Sequence, residues 1–127
     1  MLRSRIRVSV ALCSVVVLGA SAAFAASLSR ITDAKIESVR VDPENGQAVI
    51  TIDQADPDHP ACSTFNAGRS FQIPLNTDAG REATRVAMAA FLAGKKVDIT
   101  GTAGSQAVAC PAPQTNKELM ASIEVHP

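Results

Sequence analysis

The residues best suited to chemistry lie in the segment DPDHPAC, residues 56–62. Asp56, Asp58, His59 and Cys62 all carry groups that bind metals, and a Cys–His pair can also act as a nucleophile with its base. A cysteine in a disulfide, by contrast, is neither a ligand nor a nucleophile. The function of this segment therefore depends on the compartment in which the chain folds and on the other cysteines.

The start of the chain has the pattern of a secretory signal peptide. A start with three arginines, MLRSRIRVSV, leads into an apolar run that ends near Gly19 and then into an A-x-A cleavage signal. The apolar run is shorter than the roughly 20 residues of a membrane-spanning helix, although an uncleaved anchor remains the alternative. We expect residues 1–25 to be a signal peptide and residues 26–127 to be a single exported domain, periplasmic or secreted.

The composition of residues 26–127 argues against a nucleic-acid partner. Cleavage removes three arginines and leaves nine basic residues against twelve acidic ones. Affinity for phosphate backbones comes from clustered Lys and Arg, and single strands are held on aromatic side chains. The chain has no Tyr and no Trp. We therefore expect no nucleic-acid partner, and residues 26–127 contain no apolar run long enough for a membrane span.

Cleavage also leaves two cysteines, Cys62 and Cys110. An even number of cysteines in an exported protein predicts a disulfide between them. Closing a loop of this size stabilises the folded chain by about 4 kcal/mol in the chain-entropy model. The predicted bridge removes Cys62 from the candidate metal ligands and leaves Asp56, Asp58 and His59.

Three ligands in one short stretch are a weak basis for a metal site. Zinc is held by three or four ligands, mainly His and Cys, and the only other histidine is His126. The segment also lacks the loop glycine and the bidentate Glu of an EF-hand calcium site. We therefore interpret it as a polar loop with turn-forming Asp and Pro residues, with a metal or catalytic site as the alternative. We expect no cofactor, no metal and no catalytic residue.

Hydrophobic alternation predicts five strands. A hairpin is expected over residues 34–53, with its turn at Asn45-Gly46. Further strands are expected over residues 69–75, 95–104 and 118–125. Two long loops, residues 54–68 and 103–117, each contain one of the cysteines.

One helix is predicted over residues 76–96, with Thr77 or Asp78 as its N-cap and Gly94 as its C-terminal cap. Its apolar stripe, expected to cover the sheet, consists of Ala79, Ala83, Val86, Ala87, Ala90 and Phe91. The element order β-β-β-α-β-β is that of the OB-fold, a five-stranded, partly open barrel. We therefore predict a mainly β (α+β), OB-fold-like domain, with an α+β meander as the alternative.

The segment IPLNTDAGREATRVAMAAFLAGKKVDITGTAG, residues 73–104, is followed by a cysteine and a final IEV strand. Its helix cap, Ala-rich helix and AGKKV turn resemble those of small exported bacterial proteins. Over about residues 34–125 the domain also resembles the OB-fold B subunits of pertussis- and subtilase-type AB5 toxins. That resemblance implies a homo-oligomer, a ring of five subunits whose outer faces bind glycans.

The resemblance places a candidate binding surface next to the third strand, at Ser63, Thr64 and Asn66. We expect a stand-alone exported binding module whose partner is a glycan or an envelope or host protein. The alternative is a structural or accessory protein of the cell envelope without a small ligand. The chain has no G-x-S-x-G or H-E-x-x-H motif, and we expect no enzymatic activity.

Overall fold

The computed structural model describes residues 29–55, 57–102 and 104–127. The predicted signal peptide, residues 1–25, lies outside the described residues, and so does Asp56 of the DPDHPAC segment. No helix in the described part of the chain is long and apolar enough to cross a membrane.

Five strands form a closed ring in the order β1-β2-β3-β5-β4. They are β1 (Arg30–Asp42), β2 (Gln47–Ile52), β3 (Ser70–Pro74), β4 (Lys96–Gly101) and β5 (Glu118–Val125). Neighbouring strands are antiparallel except for β3 and β5, which are parallel. Helix α1 (Asp78–Ala93) lies between β3 and β4 in the chain. The predicted mainly β fold class, with five strands and one helix between the third and fourth, is confirmed. The strands close into a ring, whereas the prediction was a partly open barrel.

Strand β1 closes the ring because it is long enough to pair with β2 along one half and with β4 along the other. Its C-terminal half pairs with β2, and its N-terminal half pairs with β4. The register shifts between Ile31 and Ala34, and Asp33 within this irregularity has φ 55°. Asp is one of the few residues that adopt this left-handed conformation readily. The sequence predicts a strand only from residue 34, because Arg30 and Asp33 interrupt the hydrophobic alternation in the part of β1 that pairs with β4.

The caps of α1 lie where the sequence predicts them. Thr77 is the N-cap, and its Oγ1 accepts a hydrogen bond from the N–H of Gly80 at 3.0 Å. Gly94 has the left-handed φ of 64°, and its N–H donates to the carbonyls of Ala90 and Phe91. These caps position α1 across the ring.

The buried face of α1 differs from the predicted stripe. Gly80, Thr84, Ala87 and Ala90 are buried, whereas Ala79 is exposed and Phe91 is 39% exposed. Gly80 lies against the backbone of Pro74, where a side chain would not fit. Thr84 satisfies its hydroxyl inside the helix by donating to the carbonyl of Gly80 at 2.9 Å. Because α1 approaches β3 closely at Gly80, the helix buries the face that contains Gly80 and Thr84 and not the purely apolar stripe.

The two long loops contain short helical segments that the sequence pattern does not predict. A 3₁₀ turn, Phe65–Gly68, lies in the first loop, and a single helical turn, α2 (Gln106–Ala109), lies in the second. Both segments are close to the cysteines. They make the loops compact enough to pack against the outside of the ring.

Candidate functional site

The predicted disulfide between Cys62 and Cys110 is confirmed, with an S–S distance of 2.08 Å. It joins the two long loops, and backbone hydrogen bonds extend the connection. The N–H groups of Thr64 and Phe65 both donate to the carbonyl of Asn116 at 3.1 Å. Residues 62–68 and 106–117 therefore form one layer, which we call the paired loops.

The paired loops cover the outer face of β2 and β3. Polar side chains that strand alternation would leave in water are buried there, with Gln47 and Gln72 each 3% exposed and Ser70 at 0%. Burial of polar groups requires hydrogen bonds. Ser70 has two such contacts, with the Thr51 hydroxyl at 2.9 Å and with Nδ2 of Asn66 at 3.0 Å.

Gln72 connects the sheet to the second loop. Its Nε2 lies 3.2 Å from the carbonyl oxygen of Pro111, 3.0 Å from that of Gln114 and 2.6 Å from that of Lys117. The amide has two N–H hydrogens, so these three carbonyls share them. The side chain thus fixes the loop that precedes β5.

The predicted binding residues lie next to this layer in different environments. Ser63 is fully buried, and its Oγ has no hydrogen-bond partner among the described residues. Thr64 and Asn66 are exposed. Asn66 lines a small pocket of about 190 Å³ that also includes Arg40 and Phe65. A ligand outside the fold can therefore reach two of the three residues.

The small pocket has a cationic edge. Nζ of Lys117 lies 4.0 Å from the centre of the Phe65 ring, which is 37% exposed. Burial lowers the pKa of Lys117, and the nearby charge of Arg40 lowers it further. The aromatic face of Phe65 is thus already covered by a cation from the protein itself.

The histidine of the DPDHPAC segment packs within its loop. Nδ1 of His59 lies 3.1 Å from the carbonyl oxygen of Pro60. Its ring also lies against Gly68, where an added Cβ would come within 2.7 Å of it. Gly68 has φ 78°, so the close packing and the backbone conformation both require glycine there.

A larger groove of about 360 Å³ opens where the paired loops end. It lies between the β1–β2 turn, the adjacent ends of β2 and β3, and the loop before β5. We call it the amide groove, because four carboxamides line it together with three proline rings: Asn45, Gln47, Gln72 and Asn76, with Pro74, Pro111 and Pro113. None of the described residues that line it is charged.

Hydrogen bonds to Asp42 organise one side of the amide groove. Its Oδ2 accepts from Nδ2 of Asn45 at 2.9 Å and from Nε2 of Gln114 at 3.1 Å. The Asn45 side chain is the main cause of a lowered pKa at Asp42, because it stabilises the carboxylate. Asp42 therefore holds the β1–β2 turn and the second loop together.

Gln47 adds an unused donor to this region. It is 3% exposed, and its Nε2 makes no hydrogen bond within the described part of the chain. Such a group is costly unless a ligand or solvent molecule reaches it. The sequence gives no signal for these carboxamides, because each looks like an ordinary polar residue of a turn or an outward strand position.

The amide groove occupies part of the surface that OB-folds use for binding. In that fold the β2–β3 face and the β1–β2 and β4–β5 loops hold oligonucleotides and oligosaccharides. Here the paired loops cover the middle of that face and leave the groove open at its end. Comparison of the chain with protein-family models, with curated proteins and with solved structures finds no match.

Proposed function

We propose that this protein is an exported binding module that takes a neutral carbohydrate in the amide groove. The observation that carries the proposal is the set of four carboxamides in an uncharged groove. A carboxamide both donates and accepts hydrogen bonds, as a sugar hydroxyl does. A groove of about 360 Å³ is at the small end of ligand sites, which span roughly 300–1,000 Å³, and it suits a short saccharide.

The apolar part of the groove supports the same class of ligand. The chain has no Tyr or Trp with which to stack on a sugar ring. The rings of Pro74, Pro111 and Pro113 and the side chain of Leu119 offer apolar surface instead. These groups bury the C–H face of a sugar. The amide N–H groups of Asn45 and Gln72 already donate within the protein, so the amides of Gln47 and Asn76 are the donors for the sugar hydroxyls. The absence of Lys and Arg from the described lining residues disfavours an anionic ligand.

Export and oligomerisation are parts of the same proposal. A disulfide persists in oxidising compartments, which supports an exported protein. The resemblance to toxin B subunits adds the expectation of a five-membered ring in solution. Native mass spectrometry of the disulfide-bonded chain measures this directly, because a monomer and a pentamer differ fivefold in mass.

The test is a glycan array followed by calorimetry on the neutral glycan that binds best. Asn76 is exposed and lines the amide groove, so Asn76→Ala should weaken binding about tenfold, which is about 1.4 kcal/mol. Asn66→Gly is the matched control, because it removes an exposed carboxamide from the small pocket and tolerates the φ of 51°. It also removes the hydrogen bond to Ser70, so circular dichroism checks that this variant is folded.

Two outcomes contradict the proposal. If no neutral glycan on the array binds the protein, the proposed ligand class is wrong. A loss of affinity in Asn66→Gly with none in Asn76→Ala moves the site to the small pocket, which includes one of the binding residues that the resemblance implies.

A second candidate is a structural or accessory protein of the cell envelope with no small ligand. One observation favours it, namely that the paired loops cover most of the face on which OB-folds bind ligands. This candidate predicts a blank array and a stable complex with an envelope component in native mass spectra. The first proposal predicts a glycan adduct of the chain instead.

A further inference from the structure

Three side chains of metal-binding type meet where β1, β4 and β5 come together, at the opposite end of β1 from the amide groove. Asp33 lies at the irregularity in β1, Asp98 lies in β4, and His126 follows β5. Nδ1 of His126 lies 3.1 Å from Oδ1 of Asp33, and its Nε2 lies 2.7 Å from Oδ1 of Asp98. One ligand atom from each residue lies within 4.8 Å of the others.

Backbone hydrogen bonds hold the three residues in place. The N–H of Asp33 donates to Oδ1 of Asp98 at 2.9 Å. The N–H of His126 donates to the carbonyl of Lys96 at 2.9 Å and so continues the pairing of β5 with β4. The arrangement therefore comes from the sheet itself, since three separate elements supply one residue each.

A third carboxylate lies beside this cluster. Glu124 is paired with Asp98 across the antiparallel strands, so the two side chains emerge on the same face. The charge of Arg30 also acts on Asp98, after that of His126. The imidazole of His126 is thus placed among several carboxylates on a partly exposed surface.

A neutral imidazole cannot satisfy this arrangement. It has one N–H and one lone pair, whereas both of its nitrogens face a carboxylate oxygen. One contact is then a lone pair against an acceptor, which is repulsive. A second proton or a metal cation relieves the repulsion. A divalent cation also balances the two negative charges of Asp33 and Asp98, which a single added proton does not.

We propose that Asp33, Asp98 and His126 form a site for a divalent transition-metal ion, with zinc as the expected occupant. Imidazole and carboxylate are common zinc ligands, and three protein ligands with water at the remaining position make an open zinc site. The nitrogen ligand disfavours calcium and magnesium, which prefer oxygen. Side-chain exposures of 63% for Asp33, 24% for Asp98 and 32% for His126 allow an ion to enter.

A single ion is bound through one nitrogen of His126, so only one of its two short contacts is kept around that ion. Zinc lies about 2.0–2.2 Å from such ligands, so ligand atoms of a tetrahedral site are roughly 3.3 Å apart. One ligand atom from each residue lies within 4.8 Å of the others, so binding requires one carboxylate to approach by up to about 1.5 Å. Because β1, β4 and the residue after β5 each supply a ligand, bound zinc also links the strands that close the ring.

The test is calorimetric titration of the disulfide-bonded chain, made without a polyhistidine tag, with zinc chloride at about pH 7.5. We expect one equivalent of zinc to bind to the wild type. His126→Gln should weaken binding at least tenfold, and Asp98→Asn should do the same. His59→Gln is the matched control, because it removes a half-buried histidine from a different surface, and it should keep wild-type affinity.

A second readout separates loss of the site from loss of the fold. Zinc should raise the melting temperature of the wild type and of His59→Gln but not that of His126→Gln, because binding to the folded state alone stabilises it. Circular dichroism without zinc checks that the variants are folded. Absence of wild-type binding at about 1 mM zinc, or an equal loss in His59→Gln and His126→Gln, overturns the proposal.

Discussion

Two aspartates, Asp42 at the end of β1 and Asp98 in β4, organise their surroundings through carboxylate hydrogen bonds. Asp42 accepts from Asn45 and Gln114 beside the amide groove. Asp98 accepts from the backbone N–H of Asp33 and lies against His126. In both cases the hydrogen bonds favour the charged form and lower the pKa of the carboxyl group. A single carboxylate thus couples loops and strands that are distant in sequence.

The lowered pKa of Asp98 predicts a pH-dependent contribution to stability. The backbone N–H of Asp33 is the main cause of the lowered pKa, relative to 3.8. Burial opposes it, and the hydrogen bond with His126 adds a smaller lowering effect. A carboxyl group with a depressed folded-state pKa stabilises the protein above its unfolded-state pKa, and this stability is lost as the pH falls through the folded-state pKa. Asp98→Asn should therefore be less stable than the wild type at neutral pH, and the difference should shrink in acid.

Urea unfolding at about pH 7 and about pH 2.5 measures this difference. Glu44→Gln is the control, because it removes an exposed carboxylate from the β1–β2 turn. A gap between wild type and Asp98→Asn that stays constant with pH would mean that the carboxylate has no special role in the folded state.

At the level of elements, α1 shows how one glycine decides which helix face is buried. A Cβ added to Gly80 would lie 1.6 Å from the carbonyl oxygen of Pro74 and 2.8 Å from its carbonyl carbon. Neither backbone atom can move without shifting the end of β3. The close approach lets Thr77 cap the helix directly above the end of that strand.

Gly80→Ala should therefore destabilise the protein, although this substitution in a helix is usually stabilising. Replacing glycine by alanine inside a helix normally stabilises it by about 1 kcal/mol. Here we expect a loss of about 2 kcal/mol or more in the free energy of unfolding, because an overpacked contact with backbone cannot relax cheaply. Chemical denaturation gives the value. Gly46→Ala is the comparison, because that site has φ 65° and nothing within 4 Å, and its loss should be smaller.

Local signals in the sequence predict the elements well. Thr77 and Gly94 cap α1 as predicted, and the turn at Asn45-Gly46 joins β1 to β2. Each of these features depends on residues close together in the chain. The contact of Gly80 with Pro74 is also short in sequence, but it depends on the docking angle of the helix, which the apolar stripe does not reveal.

The candidate sites were much harder to predict, because they depend on tertiary contacts. Gln47 and Gln72 have the polar character of outward strand positions, and only the paired loops make them buried. Asp33, Asp98 and His126 are far apart in sequence, and the register of β1 with β4 and of β4 with β5 brings them together. Strand register of this kind does not follow from residue types.

In the whole molecule, the closed ring and the disulfide stabilise different parts of the structure. The ring encloses the hydrophobic core and leaves the proposed metal site at its closing strands. The disulfide lies outside the ring and fixes the paired loops over β2 and β3. The amide groove depends on that outer layer, since Pro111 and Pro113 form one of its walls.

Removal of the disulfide should therefore lower stability and damage the groove while the ring persists. For the separation of 48 residues between Cys62 and Cys110, the chain-entropy model gives about 4 kcal/mol, within the typical range of about 2–4. We expect the Cys62→Ser/Cys110→Ser double variant to lose about that much in the free energy of unfolding, measured with urea.

The same variant should bind the neutral glycan more weakly and bind zinc at wild-type affinity, because the zinc ligands lie on β1, β4 and the segment after β5. A reductant should reproduce both effects in the wild type and change nothing in the double variant. Equal losses of glycan affinity and zinc affinity would show instead that the disulfide stabilises the whole ring. A disulfide that stabilises the paired loops alone would leave the zinc ligands on the closing strands unchanged.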